Sequence, residues 1–166
     1  MDSYLERLRR ELEVTMTLAG AERVDKGPDG KWTSAQVLEH LFLTYRGTNA
    51  GIAKCLEKGA PLGTRVTLYH RVSSLLVVNA GYFPRGRKSP ERAVPKGLPV
   101  DEVRREILKE IERMDAGFAE CERKFGKRAR ILDHPVLGPF NVGQWRKFHW
   151  LHGRHHAKQI RERAGA

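Results

Sequence analysis

Residues 100–124 read VDEVRREILKEIERMDAGFAECERK. Their apolar side chains recur every three or four positions, which is the spacing of one face of an α-helix. The apolar stripe consists of Val103, Ile107, Ile111, Met114, Phe118 and Cys121. Charged residues occupy the other faces, so the segment predicts a long amphipathic helix that covers a hydrophobic core.

Three more long helices are predicted along the chain. Two of them begin at a clear start signal, because Thr33 with Gln36 and Asn141 with Gln144 have the spacing of a capping box. The first helix has no such cap, but its leucines repeat at helical steps and glycine and proline then interrupt the pattern. The four predicted helices span residues 2–23, 33–56, 100–124 and 141–163.

The connections between these helices are unequal. Residues 64–80 predict a shorter helical segment, from Leu68 to Val78, whereas 81–99 contain four prolines and predict an extended loop. Residues 125–140 are expected to be irregular. The gap of about 40 residues before Val100 is far longer than neighbouring antiparallel helices need. We therefore expect an all-α bundle with a long crossover, in which the second helix lies antiparallel to the last.

Length and charge limit the functional classes. The 166 residues suit a single domain, 1–166. A net charge of +11 is compatible with phosphate binding, but the basic residues are scattered along the chain. The densest basic stretch, residues 84–90, contains glycine and proline and predicts a loop. Nucleic acid is therefore not the favoured partner.

The cysteines and the apolar runs indicate the cellular compartment of the protein. Cys55 and Cys121 do not form a CxxC pair, which favours free, packed thiols in a reducing compartment. The N-terminus has no apolar signal segment, and no apolar run approaches the roughly 20 residues of a membrane span. We expect a cytoplasmic protein without a membrane partner.

The histidines predict a metal site. His152 and His156 are four residues apart on a predicted helix, so their side chains share one face. His40 lies about seven residues inside the second helix, and His156 about eight residues from the end of the last. If these helices are antiparallel, a rise of ~1.5 Å per residue brings His40 and His156 to the same level. Three imidazoles at one level are a ligand set for a divalent metal.

The other candidate ligands are less favoured. His149 shares the face of the pair but is expected to be a packed core residue. His155 should point about 100° away from His156 and be exposed. His70 and His134 stand alone in sequence and are not predicted as ligands. Cys55 lies about 22 Å along the helix from the level of the site, which is too far.

Side chains around the predicted ligands leave some questions open. Gln36 and Gln159 could each orient an imidazole or bind a metal-bound water, or they could simply face solvent. Glu39 is next to His40 but should point about 100° away, so no general base is predicted beside the metal. The small residues on the face of His40 could open a pocket or allow close helix packing. They are Thr44, Gly47, Thr48 and Gly51.

Two motifs carry a family resemblance. WTSAQVLEHL, residues 32–41, resembles the first histidine motif of the DinB-like (DinB/YfiT) superfamily, and HGRHHAKQI, residues 152–160, is similar to its second. Residues 133–145 resemble a subgroup of unknown function. The resemblance covers nearly the whole chain as one DinB-like domain. It implies a four-helix bundle in up-down-down-up order, often a homodimer, with zinc or nickel on His40, His152 and His156.

The resemblance also suggests a chemistry. Some superfamily members look like transferases or isomerases that use a low-molecular-weight thiol, and others were labelled hydrolases. Three neutral imidazoles leave metal positions open, and such a metal can lower the pKa of bound water towards ~7 or stabilise a thiolate. We expect a metal-dependent enzyme that transfers a thiol to a small electrophile or hydrolyses a small molecule. The alternative is a non-catalytic, metal-stabilised basic bundle that binds nucleic acid or an acidic partner.

Overall fold

The structure, a computed structural model, describes residues 1–19, 28, 30–74, 77–78 and 89–165. These residues are mostly helical, as the sequence predicted, with five α-helices and one two-stranded sheet. The helices are α1 (Ser3–Ala19), α2 (Ser34–Lys58), α3 (Leu68–Ser74), α4 (Val100–Phe125) and α5 (Val142–Ala164). The strands are β1 (Arg130–His134) and β2 (Gly138–Asn141), and a short 3₁₀ turn spans Glu91–Ala93.

Both histidine-bearing helices begin at the predicted capping boxes. The Thr33 hydroxyl accepts a hydrogen bond from the Gln36 amide at 3.2 Å, and the Gln36 side chain accepts one from the Thr33 amide at 2.8 Å. Asn141 and Gln144 repeat the arrangement at 2.9 and 3.1 Å. Because each box satisfies two otherwise unpaired amides, it fixes the residue at which its helix starts.

Helices α2 and α5 are antiparallel neighbours, which confirms the predicted relation between them. At the start of α2, the Ser34 hydroxyl donates to the Ile160 carbonyl near the end of α5, at 3.3 Å. Further along α2, the Thr48 hydroxyl lies 3.2 Å from Nε2 of His149, in the first half of α5. The histidines that lie between these two contacts are therefore brought to one level.

Helix α1 runs parallel to α5. Asp2, which precedes α1, lies 3.9 Å from Arg146 near the start of α5. Glu11 of α1 forms an ion pair with Arg161, near the end of α5, at 2.7 Å. Gly153 permits this close packing, since a Cβ atom there would lie 2.1 Å from a Leu8 methyl group. Leu5, Leu8 and Leu12 of α1 are fully buried, and α1 packs against α5.

Helix α4 runs parallel to α2. The Asn49 side chain donates to the Glu110 carbonyl at 3.0 Å, and Lys124, near the end of α4, donates to the Leu56 carbonyl near the end of α2 at 3.2 Å. The predicted apolar stripe of α4 faces the core. All of its members, Val103, Ile107, Ile111, Met114, Phe118 and Cys121, are buried.

The prediction that residues 125–140 are irregular was wrong. They contain the antiparallel pair β1 and β2, with a register irregularity inside β1. Ile131 and Phe140 are fully buried and hold the hairpin against the helices. The strands are short, and β2 begins with Gly138 and Pro139, two residues that weaken a strand pattern. The sequence therefore lacked the alternation by which strands are recognised.

Some predicted boundaries differ from the structure or lie beyond it. Helix α3 spans Leu68–Ser74, and Val77 and Val78, where the predicted helix ends, have π-helical conformation. Residues 75–76 and 79–80 lie outside the described residues, as do 20–23 of the first predicted helix and 84–88 of the basic stretch. Among the helices that are described, none combines the length and the apolar character that a membrane span requires.

Candidate metal centre

The three predicted ligands come together between α2 and α5. Nε2 of His152 lies 3.4 Å from Nε2 of His40 and 3.0 Å from Nε2 of His156. One ligand atom from each residue lies within 4.8 Å of the others. Two nitrogens that bind one zinc ion tetrahedrally at ~2.0–2.1 Å are about 3.4 Å apart. The cluster could therefore hold a metal ion with little side-chain movement.

The tautomer of His40 suits a metal ligand. Its Nδ1 lies 2.7 Å from the carbonyl oxygen of Ala93, and because a carbonyl can only accept, Nδ1 carries the hydrogen. In the neutral ring, Nε2 then has no hydrogen, and its lone pair faces the other histidines. Burial lowers the pKa of His40, and the hydrogen bond to Ala93 opposes this effect in part. The ring is therefore neutral at pH 7.

His156 is held in the same tautomer by Gln159. The Gln159 oxygen accepts a hydrogen bond from Nδ1 of His156 at 2.9 Å, while the Gln159 amide nitrogen donates to His155 at 3.1 Å. Of the two roles considered for Gln159, orientation of an imidazole is the one observed. Burial lowers the pKa of His156 to about 3, and repulsion by His40 adds to this shift.

The prediction that His155 is exposed was wrong. Its side chain is half-buried, and its ring centroid lies 5.2 Å from that of His156. The hydrogen bond from Gln159, one turn later, holds the ring towards the cluster. His155 is nevertheless not a member of the three-histidine cluster.

His152 occupies the centre of the cluster. Its ring stacks on Phe148, with centroids 5.2 Å apart and planes 13° apart. Burial, and then repulsion by His156, hold the pKa of His152 well below its usual range. A neutral ring nitrogen carries at most one hydrogen, so Nε2 of His152 can donate a hydrogen bond to Nε2 of His40 or to Nε2 of His156, but not to both. A cation would satisfy all three nitrogens at once.

Glu39 has a structural role that the sequence did not indicate. It points away from the ligand cluster, as predicted, but it is only 3% exposed. Its two carboxylate oxygens accept hydrogen bonds from the backbone amides of Lys96 and Gly97, at 2.7 and 3.1 Å. Glu39 and His40 thus bind the same segment, which carries the Ala93 carbonyl. A charged residue on an apolar helix face was the available signal.

A cavity of about 160 Å³ adjoins the cluster. His40 and His152 form part of its wall. The small residues of α2, Thr44, Gly47, Thr48 and Gly51, line this pocket. Gly51 also allows close packing, since a Cβ atom there would lie 3.0 Å from a Leu132 methyl group. His134, which sequence reasoning set aside, lines the same cavity. It was missed because nothing local connects it to the helices.

The remaining candidates lie outside the cluster. His149 is fully buried in the core, as predicted, and its Nε2 bonds to the Thr48 hydroxyl at 3.2 Å. Gln36 is exposed and serves the capping box, so it does not orient an imidazole. Cys55 and Cys121 are free and buried, as predicted, and the Cys55 thiol donates to the Ala60 carbonyl at 3.4 Å.

The described fold and site define a mostly helical protein in which three histidines from two antiparallel helices could hold a metal ion. The chain belongs to the family described as Protein of unknown function (DUF1569), whose model matches residues 8–163. This range includes all three histidines and every residue that lines the cavity. No curated protein and no solved structure matches the chain significantly.

Proposed function

We propose that the chain is a DinB-like, divalent-metal enzyme that transfers a low-molecular-weight thiol to a small electrophile. The observation that carries the proposal is the convergence of three Nε2 atoms. In His40 and His156 a hydrogen bond keeps the ring hydrogen on Nδ1, so Nε2 has a free lone pair. The parallel pairs α1–α5 and α2–α4 support a four-helix bundle in up-down-down-up order. Zinc or nickel is the proposed ion, because imidazole nitrogen suits both.

The chain's own residues position both reactants. His40, His152 and His156 would hold the ion on one side of the cavity, and the apolar and small side chains opposite would receive the electrophile. A divalent ion on three neutral imidazoles keeps its charge and open positions, so it favours the thiolate form of a bound thiol. In the transfer, the sulfur bonds to the electrophilic carbon while the bond from that carbon to its leaving group, or the π bond of a carbonyl group, breaks. The thiol proton passes to the departing group, to the carbonyl oxygen or to solvent.

Thiol transfer is preferred to hydrolysis because the described carboxylates at the site are held by backbone amides, and because a thiol is the easier nucleophile to activate. The Glu39 carboxylate is occupied by two backbone amides. Asp133, the carboxylate that lines the cavity, is exposed and accepts a hydrogen bond from the Thr64 amide at 2.9 Å. A thiol loses its proton far more readily than water does, so a bound divalent ion would form a thiolate more easily than a hydroxide.

Metal binding is tested first, on protein purified without an affinity tag. Elemental analysis and titration with Co²⁺, Ni²⁺ and Zn²⁺ should give one ion per chain. His156→Ala should lose most of the affinity while remaining helical, because no core residue is changed. His155→Ala is the matched control and should still bind one ion, since His155 is outside the cluster. Equal affinity in wild type and His156→Ala would refute the site.

The reaction is tested on the metal-loaded protein. Glutathione and bacillithiol, each with 1-chloro-2,4-dinitrobenzene, should give a thioether at a rate that falls to background in His156→Ala. The same protein is incubated with p-nitrophenyl acetate without thiol. Metal-dependent release of nitrophenol with no thioether would replace transfer by hydrolysis. Absence of both products would reject these thiols and substrates and leave the enzyme proposal without support.

A further inference from the structure

His134 has a fixed tautomer opposite to that of the metal ligands. Its Nδ1 accepts hydrogen bonds from the backbone amides of Val136 and Leu137, at 3.2 and 3.1 Å. Because both partners are donors, Nδ1 must be bare, and the neutral ring carries its hydrogen on Nε2. His40 has the reverse arrangement, with its hydrogen on Nδ1. His134 is thus a hydrogen-bond donor at Nε2 rather than a metal ligand there.

The His134 ring is both neutral and held in place. Burial, and then the nearby charge of Arg92, lower its pKa to about 4, so the ring is uncharged at neutral pH. Its centroid lies 4.6 Å from that of Phe148 and 5.8 Å from that of Trp145. Since Nδ1 is directed to the turn at Val136, Nε2 is on the other edge of the ring.

The cavity beside His134 limits what a ligand can be. Its volume of about 160 Å³ is close to the ~150 Å³ of an apolar cavity that accepts benzene. Leu43, Leu132 and Phe148 are among the side chains of its wall. Arg92 and Asp133 both line it with opposite charges, so neither an anion nor a cation is favoured overall. These features suit a small neutral molecule with a flat apolar part.

We infer that this cavity binds a small neutral carbonyl compound, and that Nε2–H of His134 donates a hydrogen bond to its carbonyl oxygen. The inference rests on the proposed function, since it names the chemical class of the electrophile. His134 lines the same cavity as His40 and His152, so a compound held by this N–H would lie in the cavity that adjoins the proposed metal site. His134 is therefore a binding and positioning residue, separate from the three ligands.

The test compares two probes of nearly the same shape. Acetophenone has a carbonyl oxygen where α-methylstyrene has a methylene group. The variant His134→Asn removes the Nε2 donor, while the asparagine oxygen can still accept from the amides of Val136 and Leu137. The ratio of the affinities for acetophenone and α-methylstyrene should fall about tenfold in the variant, because the bound carbonyl loses its donor. An unchanged ratio in a folded variant would overturn the inference.

A measurement on the unchanged protein makes the test independent of that variant. In ¹⁵N-histidine spectra, His134 should appear as the Nε2–H tautomer, and acetophenone should shift this resonance whereas α-methylstyrene should not. An Nδ1–H tautomer, or no shift at saturation, would refute the role of His134.

Metal stoichiometry on the same samples separates the two proposals. A bound ion with an unchanged affinity ratio would reject only the carbonyl site. A changed ratio in a protein that binds no ion would reject only the proposed metal function.

Discussion

Replacing Glu39 by glutamine tests whether the carboxylate of this α2 residue holds the segment around Ala93 in place. The carboxylate accepts two backbone amides, at 2.7 and 3.1 Å, whereas an amide side chain has one oxygen and must turn its NH₂ group towards the other N–H. The loss of one hydrogen bond to a charged acceptor in a buried place costs about 1.5–3 kcal/mol. For a chain of this size, that loss lowers the melting temperature by about 3–12 °C.

Thermal unfolding of metal-free Glu39→Gln, followed by circular dichroism, measures this shift. The exposed Glu57→Gln on the same helix is the matched control and should melt with the wild type. Zinc affinity should also fall, by about tenfold, because the loosened segment carries the carbonyl that orients His40. If Glu39→Gln melts at the temperature of the wild type, the two backbone hydrogen bonds contribute little and the reasoning is wrong.

Three further outcomes follow from burial. Burial lowers the pKa of His149 from 6.5 to about 3, so between these pH values only the unfolded chain gains a proton at this residue. In urea unfolding of the metal-free protein, the free energy of unfolding should therefore be highest above pH 6.5 and fall by a few kcal/mol towards pH 3. Gly153→Ala would bring a Cβ atom 2.1 Å from a leucine methyl and should lower the free energy of unfolding by about 1–3 kcal/mol in the same assay. The control Gly47→Ala, whose Cβ atom meets nothing within 4 Å, should raise it by about 0.5–1 kcal/mol. Cys55 and Cys121 are buried, and burial raises the pKa of Cys121 to about 12, so a thiol reagent should label both in urea and neither in the native protein.

The helices and the ligand set were predictable because their signals are local. Capping boxes at Thr33 and Asn141 locate two helix starts, and apolar spacing locates the face of α4. His152 and His156 share a face for the same reason. His40 joined them through one topological inference, drawn from the long connection before α4. Local chemistry and one long-range relation were sufficient for the cluster.

The rest depends on contacts that no local pattern reports. The partners of Glu39 are 57 and 58 residues away in sequence, in a segment with no periodicity. The hairpin joins two short strands, one of which contains Pro139. His134 gains its tautomer from the turn of that hairpin. The helical phase of His155 was sound, but its burial depends on the side chain of Gln159.

The separation of the ligands along the chain has a consequence for biosynthesis. His40 and His152 are 112 residues apart, so a ribosome releases α2 long before α5. Until then the nascent chain has one ligand of three, and the face of α1 that α5 covers is open to chaperones. A polypeptide truncated before residue 142 would keep only one of the three proposed ligands, His40. The proposed ion would therefore be held by finished molecules and not by incomplete ones.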